Sequence, residues 1–176
     1  MTLKINYFNK KIEKNFLIFC DDKLNLKGIE RNLGNLNSQY LRKFISSNFD
    51  KGKNFLVFDV NTKQKIIAIK INHKQDSYQN ETKGADLYKI IKSHSIDEVC
   101  LIDRNIKQFS EKNNNFLNEF LHGLELKSYQ FNKYKSKSKK KIINIYLPEI
   151  FKKQINKKDS KYTSLLEGTN FTKDLV

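Results

Sequence analysis

The sequence predicts a three-layer α/β domain in which helices cover both faces of a mixed β-sheet. Short runs rich in β-branched and aromatic residues alternate along the chain with stretches of helical period. One of these runs, residues 15–20 (NFLIFC), is apolar throughout, which is typical of a strand buried on both faces. A length of 176 residues is sufficient for one such domain with its own core.

The first third of the chain predicts two strands and a helix. Residues 4–8 alternate apolar and polar side chains as a half-buried strand does, and residues 15–20 form the second strand. A helix is expected to begin at Asn37 or Ser38, because either side chain can accept hydrogen bonds from the first turn, and to end near Phe49. The apolar face of this helix consists of Tyr40, Leu41, Phe44 and Ile45.

The middle of the chain predicts a hairpin, a helix and a further strand. Residues 55–60 and 65–71 are strands whose short polar link indicates a hairpin. After a polar loop over residues 72–83, a helix is expected, and residues 98–102 form a short buried strand. The apolar residues of that helix are Ala85, Leu87, Tyr88, Ile90 and Ile91.

Residues 116–147 predict an amphipathic helix, then a group of aromatic residues, a basic loop and the last strand of the sheet. Asn113 to Asn115 offer side-chain oxygens to the first turn of the helix, and residues 142–147 form the last strand, which Pro148 closes. The apolar positions of the helix recur at spacings of three and four and are Phe116, Leu117, Phe120, Leu121 and Leu124.

Three rings and a run of lysines follow this helix. Tyr129, Phe131 and Tyr134 alternate with lysines, so they could stack on nucleic-acid bases or anchor the helix end onto the sheet, and we favour anchoring. The basic residues are either a solvated loop or a contact for a polyanion, and the first interpretation is preferred. The candidate polyanion contacts are Lys133, Lys135, Lys137, Lys139, Lys140 and Lys141.

The formal net charge of +15 rests almost entirely on lysine. Of 34 basic residues only Arg31, Arg42 and Arg104 are arginine, and the chain has a single proline, Pro148. With abundant asparagine and isoleucine, this bias is what an AT-rich coding sequence produces. A positive surface would attract polyanions whatever its origin. Compositional drift is the preferred explanation, and an evolved nucleic-acid surface is the alternative.

Compartment and membrane signals favour a cytoplasmic protein. No apolar run approaches the ~20 residues of a membrane-spanning helix, and the N-terminus lacks the apolar core of a signal peptide. Cys20 and Cys100 lie far apart in apolar or acidic surroundings, so they are expected to be buried thiols rather than a disulfide.

No catalytic or metal-ligating residue is predicted. The sequence contains no phosphate-binding loop, dinucleotide fingerprint or nucleophile elbow. Its histidines, at positions 73, 94 and 122, have no metal-ligand partner three or four residues away. The best local metal candidate combines His94, Asp97, Cys100 and Asp103, but burial of Cys100 within the apolar strand explains that residue better.

Two stretches carry a specific resemblance. Residues 123–135 (GLELKSYQFNKYK) resemble the G-L-x-L-x-S-Y-x-F-x-K-Y-K stretch in the N-terminal domain of cytosolic leucyl aminopeptidases. Residues 167–176 (EGTNFTKDLV) resemble the G-x-x-x-x-R-D-L-V segment that leads into the catalytic domain of the same enzymes. The chain departs from the family at residues 70–73, where a glycine-rich link is usual, at Lys127, where a small residue is usual, and at Lys173, where arginine is usual.

The resemblance implies a macrodomain-like domain over residues 1–148 and a lysine-rich linker over residues 149–160. Residues 161–176 would then be the start of a helix that leads into a catalytic domain, which this sequence does not contain. The apolar end, Leu175 and Val176, likewise suggests a longer parent. The parent would be a homohexameric exopeptidase with two divalent metals, Zn or Mn. This domain would serve assembly and access to the active sites, and its partner would be its own catalytic domain.

Two alternatives remain open at this point. Some bacterial members of the family also bind DNA, so the chain could be a basic nucleic-acid-binding module. It could also bind a nucleotide ligand as macrodomains do, although the missing glycines at Asn72 and His73 weaken that interpretation.

Overall fold

The computed structural model describes residues 2–8, 15–24, 26, 35–49, 53–72, 74–111, 113–129 and 142–175. The strands in these ranges are β1 (Thr2–Phe8), β2 (Asn15–Cys20), β3 (Phe55–Asp59), β4 (Lys65–Lys70), β5 (Glu98–Leu101) and β6 (Ile142–Pro148). The helices are α1 (Asn35–Phe49), α2 (Ser77–Ser93), α3 (Asp103–Ser110), α4 (Phe116–Ser128) and α5 (Lys152–Leu175), and a 3-10 turn over Glu149–Phe151 precedes α5.

The six strands form one mixed sheet in the order β1-β6-β5-β2-β4-β3. All neighbours are parallel except β3 and β4, which pair antiparallel with Leu56 opposite Ala68. The predicted hairpin is therefore confirmed. Its link is a turn in which Asn61 Oδ1 accepts hydrogen bonds from the backbone N–H groups of Lys63 and Gln64, at 2.8 and 2.9 Å.

Alternate residues of the central strands supply two separate cores. Leu17 and Phe19 of β2 point to the face covered by α2, α3 and α4, whereas Phe16 and Ile18 point to the face covered by α1. The Phe19 ring packs edge-on against three phenylalanines from the covering helices, with centroid distances of 5.8, 5.0 and 5.1 Å to Phe109, Phe116 and Phe120. The predicted three-layer α/β class is confirmed.

Two asparagines extend the sheet beyond the ends of its strands. β5 ends at Leu101, so the backbone of Phe19 has no strand partner on that side. The side chain of Asn105 in α3 takes the place of a neighbouring strand. Its Oδ1 accepts from the Phe19 N–H at 2.7 Å, and its Nδ2 donates to the Phe19 carbonyl at 2.8 Å. At the other end of β2, Asn15 donates to Glu98 O at 3.0 Å and accepts from Lys65 N at 2.8 Å. These side chains satisfy buried backbone groups.

Helices α2 and α4 cross at unusually close range because each has a glycine at the crossing. A Cβ atom on Gly84 would lie 1.9 Å from the Phe120 carbonyl oxygen, and one on Gly123 would lie 1.9 Å from the Glu81 carbonyl oxygen. Both are backbone atoms, which cannot move aside as the end of a side chain can. The two glycines therefore fix the distance between these helices.

Three of the predicted helices begin earlier than expected, and one helix was not predicted. α1 already includes Asn35, although its start was expected at Asn37 or Ser38. α2 begins at Ser77, inside the predicted polar loop, because Asp76 and Gln79 form a reciprocal capping box. α3 was not predicted, and it is held by buried Ile106 and Phe109. α5 begins at Lys152 instead of residue 161, because Ile155 is buried in the core one turn further on.

Two smaller predictions were also wrong. Tyr40 lies outside the core, with 59% of its surface exposed, although it was placed on the apolar face of α1. Asn115 precedes α4 but makes no side-chain capping hydrogen bond; Asn113 Oδ1 instead accepts from Asn115 N at 2.9 Å, ahead of the first turn. The predicted division at residue 148 stays a prediction. No helix in the described part of the chain is long and apolar enough to cross a membrane.

Candidate functional site

The two stretches that carry the family resemblance meet in space. Tyr129, directly after α4, donates its hydroxyl hydrogen bond to the carboxylate of Asp174 near the end of α5. The ammonium of Lys173 lies 5.4 Å from the centre of the Tyr129 ring and donates to the carbonyl of Leu126 at 3.4 Å. We call this group the α4–α5 junction. It attaches the last turns of α5 to the body of the domain.

The junction corrects one prediction. Tyr129 was expected to be buried between the helix end and the sheet, but its ring is only partly buried and contacts α5. The pKa of the Tyr129 phenol is raised, mainly by its hydrogen bond to the Asp174 carboxylate. Burial and the negative charge of Asp174 raise this pKa further. The other two rings, Phe131 and Tyr134, lie outside the described residues.

A network of polar side chains, three of them buried, joins α2 to α4; the buried ones are Asn80, Glu119 and His122. Glu119 is only 3% exposed, and its two carboxylate oxygens accept from Ser77 Oγ at 2.7 Å and from Asn80 Nδ2 at 2.8 Å. One turn along, His122 Nδ1 lies 3.0 Å from Glu81 Oε1. Because both oxygens of Glu119 are occupied by donors of the same chain, this carboxylate serves helix packing rather than metal binding.

The same network reaches α5 through Tyr162. The Tyr162 ring lies 5.1 Å from the ring of His122, centroid to centroid. Burial, and then the negative charges of Glu119 and Glu81, raise the pKa of the Tyr162 phenol, so the ring is neutral where it packs. α5 is thus held at its middle by Tyr162 and near its end by the α4–α5 junction.

The cluster that was weighed as a metal site and set aside, His94, Asp97, Cys100 and Asp103, does not form one. His94 and Asp97 are exposed at the end of α2 and in the link to β5, whereas Cys100 is buried in the core. Within the described ranges, no three His, Cys, Asp or Glu side chains are arranged to hold a metal ion. His122 is a packing residue, and His73 lies outside the described residues. Cys20 and Cys100 are buried free thiols as predicted, and burial, followed by the charge of Asp21, raises the pKa of Cys20 to about 12.

A group of lysines that was not predicted surrounds a pocket where β2 and β4 end. Lys70 ends β4, Lys53 follows α1, and Lys83 extends from α2 above the Phe55 ring, with its ammonium 5.1 Å from the ring centre. Burial lowers the pKa of Lys83, Asp86 partly offsets that effect, and the nearby charge of Lys70 adds to the lowering. In a chain with so many lysines, no sequence signal distinguishes these three.

The predicted polyanion contacts, from Lys133 to Lys141, all lie in residues 130–141, which are outside the described residues. Polyanion binding by this loop therefore stays a prediction.

Solved structures with the same fold include a leucine aminopeptidase and a cytosol aminopeptidase. A mutant of tomato leucine aminopeptidase aligns with a TM-score of 0.58 and 14% sequence identity, covering 88% of this chain and 35% of that one. The cytosol aminopeptidase of Coxiella burnetii aligns with a TM-score of 0.50 and 14% identity, covering 92% of this chain and 31% of that one.

The chain therefore spans only 35% and 31% of the length of these two structures. No protein-family model and no curated protein matches it. A likeness at 14% identity is evidence of fold alone. The leucyl-aminopeptidase-like fold that the sequence resemblance implied is confirmed at that level.

Proposed function

We propose that this chain is the N-terminal, non-catalytic domain of a leucyl aminopeptidase, a cytoplasmic enzyme that removes N-terminal residues from peptides. The observation that carries the proposal is the α4–α5 junction. Two stretches chosen for their resemblance to one family, 45 residues apart at Tyr129 and Asp174, contact each other directly. The shared fold supports the same conclusion.

The proposed role of the domain is to support assembly of a homohexamer and to shape access to the active sites. α5 offers a surface for this role, because Leu165 and Phe171 remain 48% and 66% exposed on a helix that contacts the domain at Tyr162 and at the α4–α5 junction. A helix of 24 residues is about 36 Å long, so a catalytic domain attached to its far end would lie well outside the sheet. The exposed apolar side chains are where that domain would pack.

The divalent metals of such an enzyme, Zn or Mn, do not fit the described residues. Two-metal hydrolysis needs several carboxylates around both ions, whereas Glu119 is occupied by Ser77 and Asn80, and Glu81 pairs with His122. We therefore place the metals in the catalytic domain and assign no step of the reaction to this chain.

The experiment compares the 176-residue chain with the product of the same coding sequence read past codon 176. Both are assayed on leucyl-amide and leucyl-peptide substrates with added zinc or manganese, and their masses are measured by light scattering. The longer product should hydrolyse the substrates as a hexamer, and the 176-residue chain should not. A mock purification from the same host controls for contaminating peptidases.

Two results would contradict the proposal. One is turnover by the 176-residue chain above the mock level. The other is a longer product that has neither activity nor hexameric mass.

A further inference from the structure

β3 forms one edge of the sheet, and half of its backbone hydrogen-bonding groups point away from β4. The Val60 N–H donates to the Gln64 carbonyl at 2.9 Å. Because bonded pairs alternate along an antiparallel ladder, the even-numbered residues of β3 are the ones bonded to β4. The N–H and C=O groups of Phe55, Val57 and Asp59 therefore face outward. Within the described ranges, no strand lies beyond β3 and no other group is bonded to them.

The side chains of this edge do little to protect it. Natural edge strands commonly carry lysine or proline, which discourage pairing with another chain. The opposite edge, β1, has Lys4 at an exposed position. In β3, by contrast, Phe55 and Val57 are apolar and half-buried, and the only charge is that of Asp59. An edge of this kind accepts a further extended strand through its backbone groups.

The strand that fits this edge most completely is β3 of a second copy of the chain, running antiparallel about a two-fold axis at Val57. In that register Val57 lies opposite Val57 of the second copy, and Phe55 lies opposite Asp59 of the second copy. Every outward N–H and C=O of both strands then has a partner. A register shifted by one bonded pair would move an end residue of β3 past the end of its partner strand. Closed two-fold contacts are also the commonest arrangement of identical chains.

Charge favours the same register. The ammonium of Lys83 lies 5.1 Å from the centre of the Phe55 ring, on the face of the sheet that α2 covers. Asp59 of the second copy would stand opposite Phe55 on this face, because alternate residues of a strand share a face. Lys65 of its own chain contacts Asp59 Oδ1, but the side chain is 65% exposed and Oδ2 can meet Lys83. Lys83 also experiences the charge of Asp86 in its own helix. The contact occurs twice, once on each side of the axis.

We propose that two copies of this chain associate by antiparallel pairing of their β3 strands, which joins the two sheets into one. The occupant of the edge is thus a second copy rather than a peptide of another protein, since only the copy supplies the matching register and the opposite charge together. The contact is made by this chain alone and does not depend on the proposed enzymatic parent. The 176-residue chain should therefore show it by itself.

The first test measures the mass of the intact chain by light scattering over a series of concentrations. The mean mass should rise from that of the monomer towards twice that value. Val57→Pro should abolish the rise, because the N–H that proline lacks is an outward one that β4 does not use. Asp59→Lys should weaken association by about tenfold or more, because it sets two cations against each other. Adding Lys83→Glu to Asp59→Lys should restore it, which loss of folding would not.

The second test, a cross-link, does not depend on disrupting the contact. Opposite residues of a bonded antiparallel pair lie about 5.5 Å apart at Cα, within the range that a disulfide spans. Mild oxidation of Val57→Cys should therefore give a covalent dimer, and Cys20 and Cys100 do not compete because they are buried. The matched control is Lys63→Cys, exposed in the hairpin turn and far from its own copy in this register. It should stay monomeric.

Three results would overturn the proposal. The first is a chain that stays monomeric at every concentration, as it would if the edge accepted only a peptide of another protein. The second is a dimer that a folded Val57→Pro chain still forms. The third is cross-linking of Lys63→Cys as readily as of Val57→Cys. A thermal melt of each variant verifies folding, and if Val57→Pro unfolds, the cross-link decides.

Discussion

The Tyr129 hydroxyl donates a hydrogen bond to the Asp174 carboxylate, and this contact closes α5 onto the end of α4. This contact lies near the C-terminal end of α5. The other contact described above, between Tyr162 and His122, lies some three turns earlier in the helix. The residues between them are mostly exposed. The end of α5 therefore depends on a few polar contacts rather than on buried apolar area.

Removing the hydroxyl should loosen the end of α5 without unfolding the domain. In Tyr129→Phe we expect amide exchange over residues 170–174 to become several times faster, while the thermal melting point barely changes. Hydrogen–deuterium exchange with mass spectrometry measures the first quantity. The control is Tyr78→Phe, because Tyr78 is 75% exposed and far from α5 in sequence. Unchanged exchange in Tyr129→Phe would show that the contact does not hold the helix.

The same contact should fail at high pH. Because the pKa of Tyr129 is raised in the folded chain, the neutral donating phenol is favoured by folding. Its contribution is complete below the ordinary tyrosine pKa of about 10 and is lost as pH rises through the higher folded value. The ultraviolet difference titration of the unaltered chain against Tyr129→Phe should thus have its midpoint above 10. In an Asp174→Asn background the midpoint should fall; if it does not, the carboxylate is not the cause.

The helix crossing of α2 and α4 should not tolerate a methyl group. Gly84→Ala and Gly123→Ala each place a Cβ against a backbone carbonyl and should destabilise the domain by roughly 1–3 kcal/mol or more. Gly168→Ala is the matched control, since nothing lies within 4 Å of its added Cβ in α5. That change should stabilise the chain by up to about 1 kcal/mol. Urea unfolding of the three variants tests whether the first two changes lower the free energy of unfolding and whether the third raises it.

Asn105 should be essential for the sheet although it lies in a helix. It is fully buried, and Asn105→Ala would leave the N–H and carbonyl of Phe19 without partners, at roughly 1–3 kcal/mol for each group. Asn54→Ala, at an exposed position before β3, should change stability by less than about 0.5 kcal/mol. Similar denaturant midpoints for the two variants would contradict this role.

Salt dependence distinguishes an evolved nucleic-acid surface from compositional drift. If residues 130–141 bind a polyanion, log affinity should fall against log salt with a slope of about −0.9 per neutralised phosphate. Exchanging four lysines of that loop for glutamine should then flatten the slope by several units; the four are Lys137, Lys139, Lys140 and Lys141.

We expect instead that nucleic acid binds weakly and is released at modest salt concentration. Its affinity should not depend on which four lysines are exchanged. The control exchanges four exposed lysines elsewhere, which are Lys23, Lys43, Lys63 and Lys92. A steep slope that disappears only with the loop variant would establish the loop as a binding surface.

The sequence predicted those parts of the fold in which long apolar or periodic runs decide the structure. The six strands and α1, α2 and α4 could be found in this way, because burial on one or both faces leaves a regular pattern. α3 could not, since only Ile106 and Phe109 mark its eight residues. The earlier start of α2 had a readable signal, the Asp76–Gln79 capping box, which lay in an otherwise polar segment.

The sites were harder to predict than the fold because they depend on which surfaces meet. Nothing in the neighbourhood of Tyr129 indicates that its partner lies 45 residues further on, and the ring pattern suggested a core position instead. The lysines around the pocket where β2 and β4 end have the same local sequence character as those of the solvated loops. Only the topology, which brings the ends of β2 and β4 together, separates Lys70 from the rest.

The position of β6 between β1 and β5 has a consequence for synthesis of the chain. Thr2 pairs with Ile142 and Phe8 with Pro148, so β1 leaves the ribosome well before its partner strand β6 has been made. At about 20 residues per second, roughly 7 s pass during which Leu3, Ile5 and Tyr7 have no strand to cover them. An unpaired edge of this kind is a template for aggregation, and β1 presents one throughout this interval.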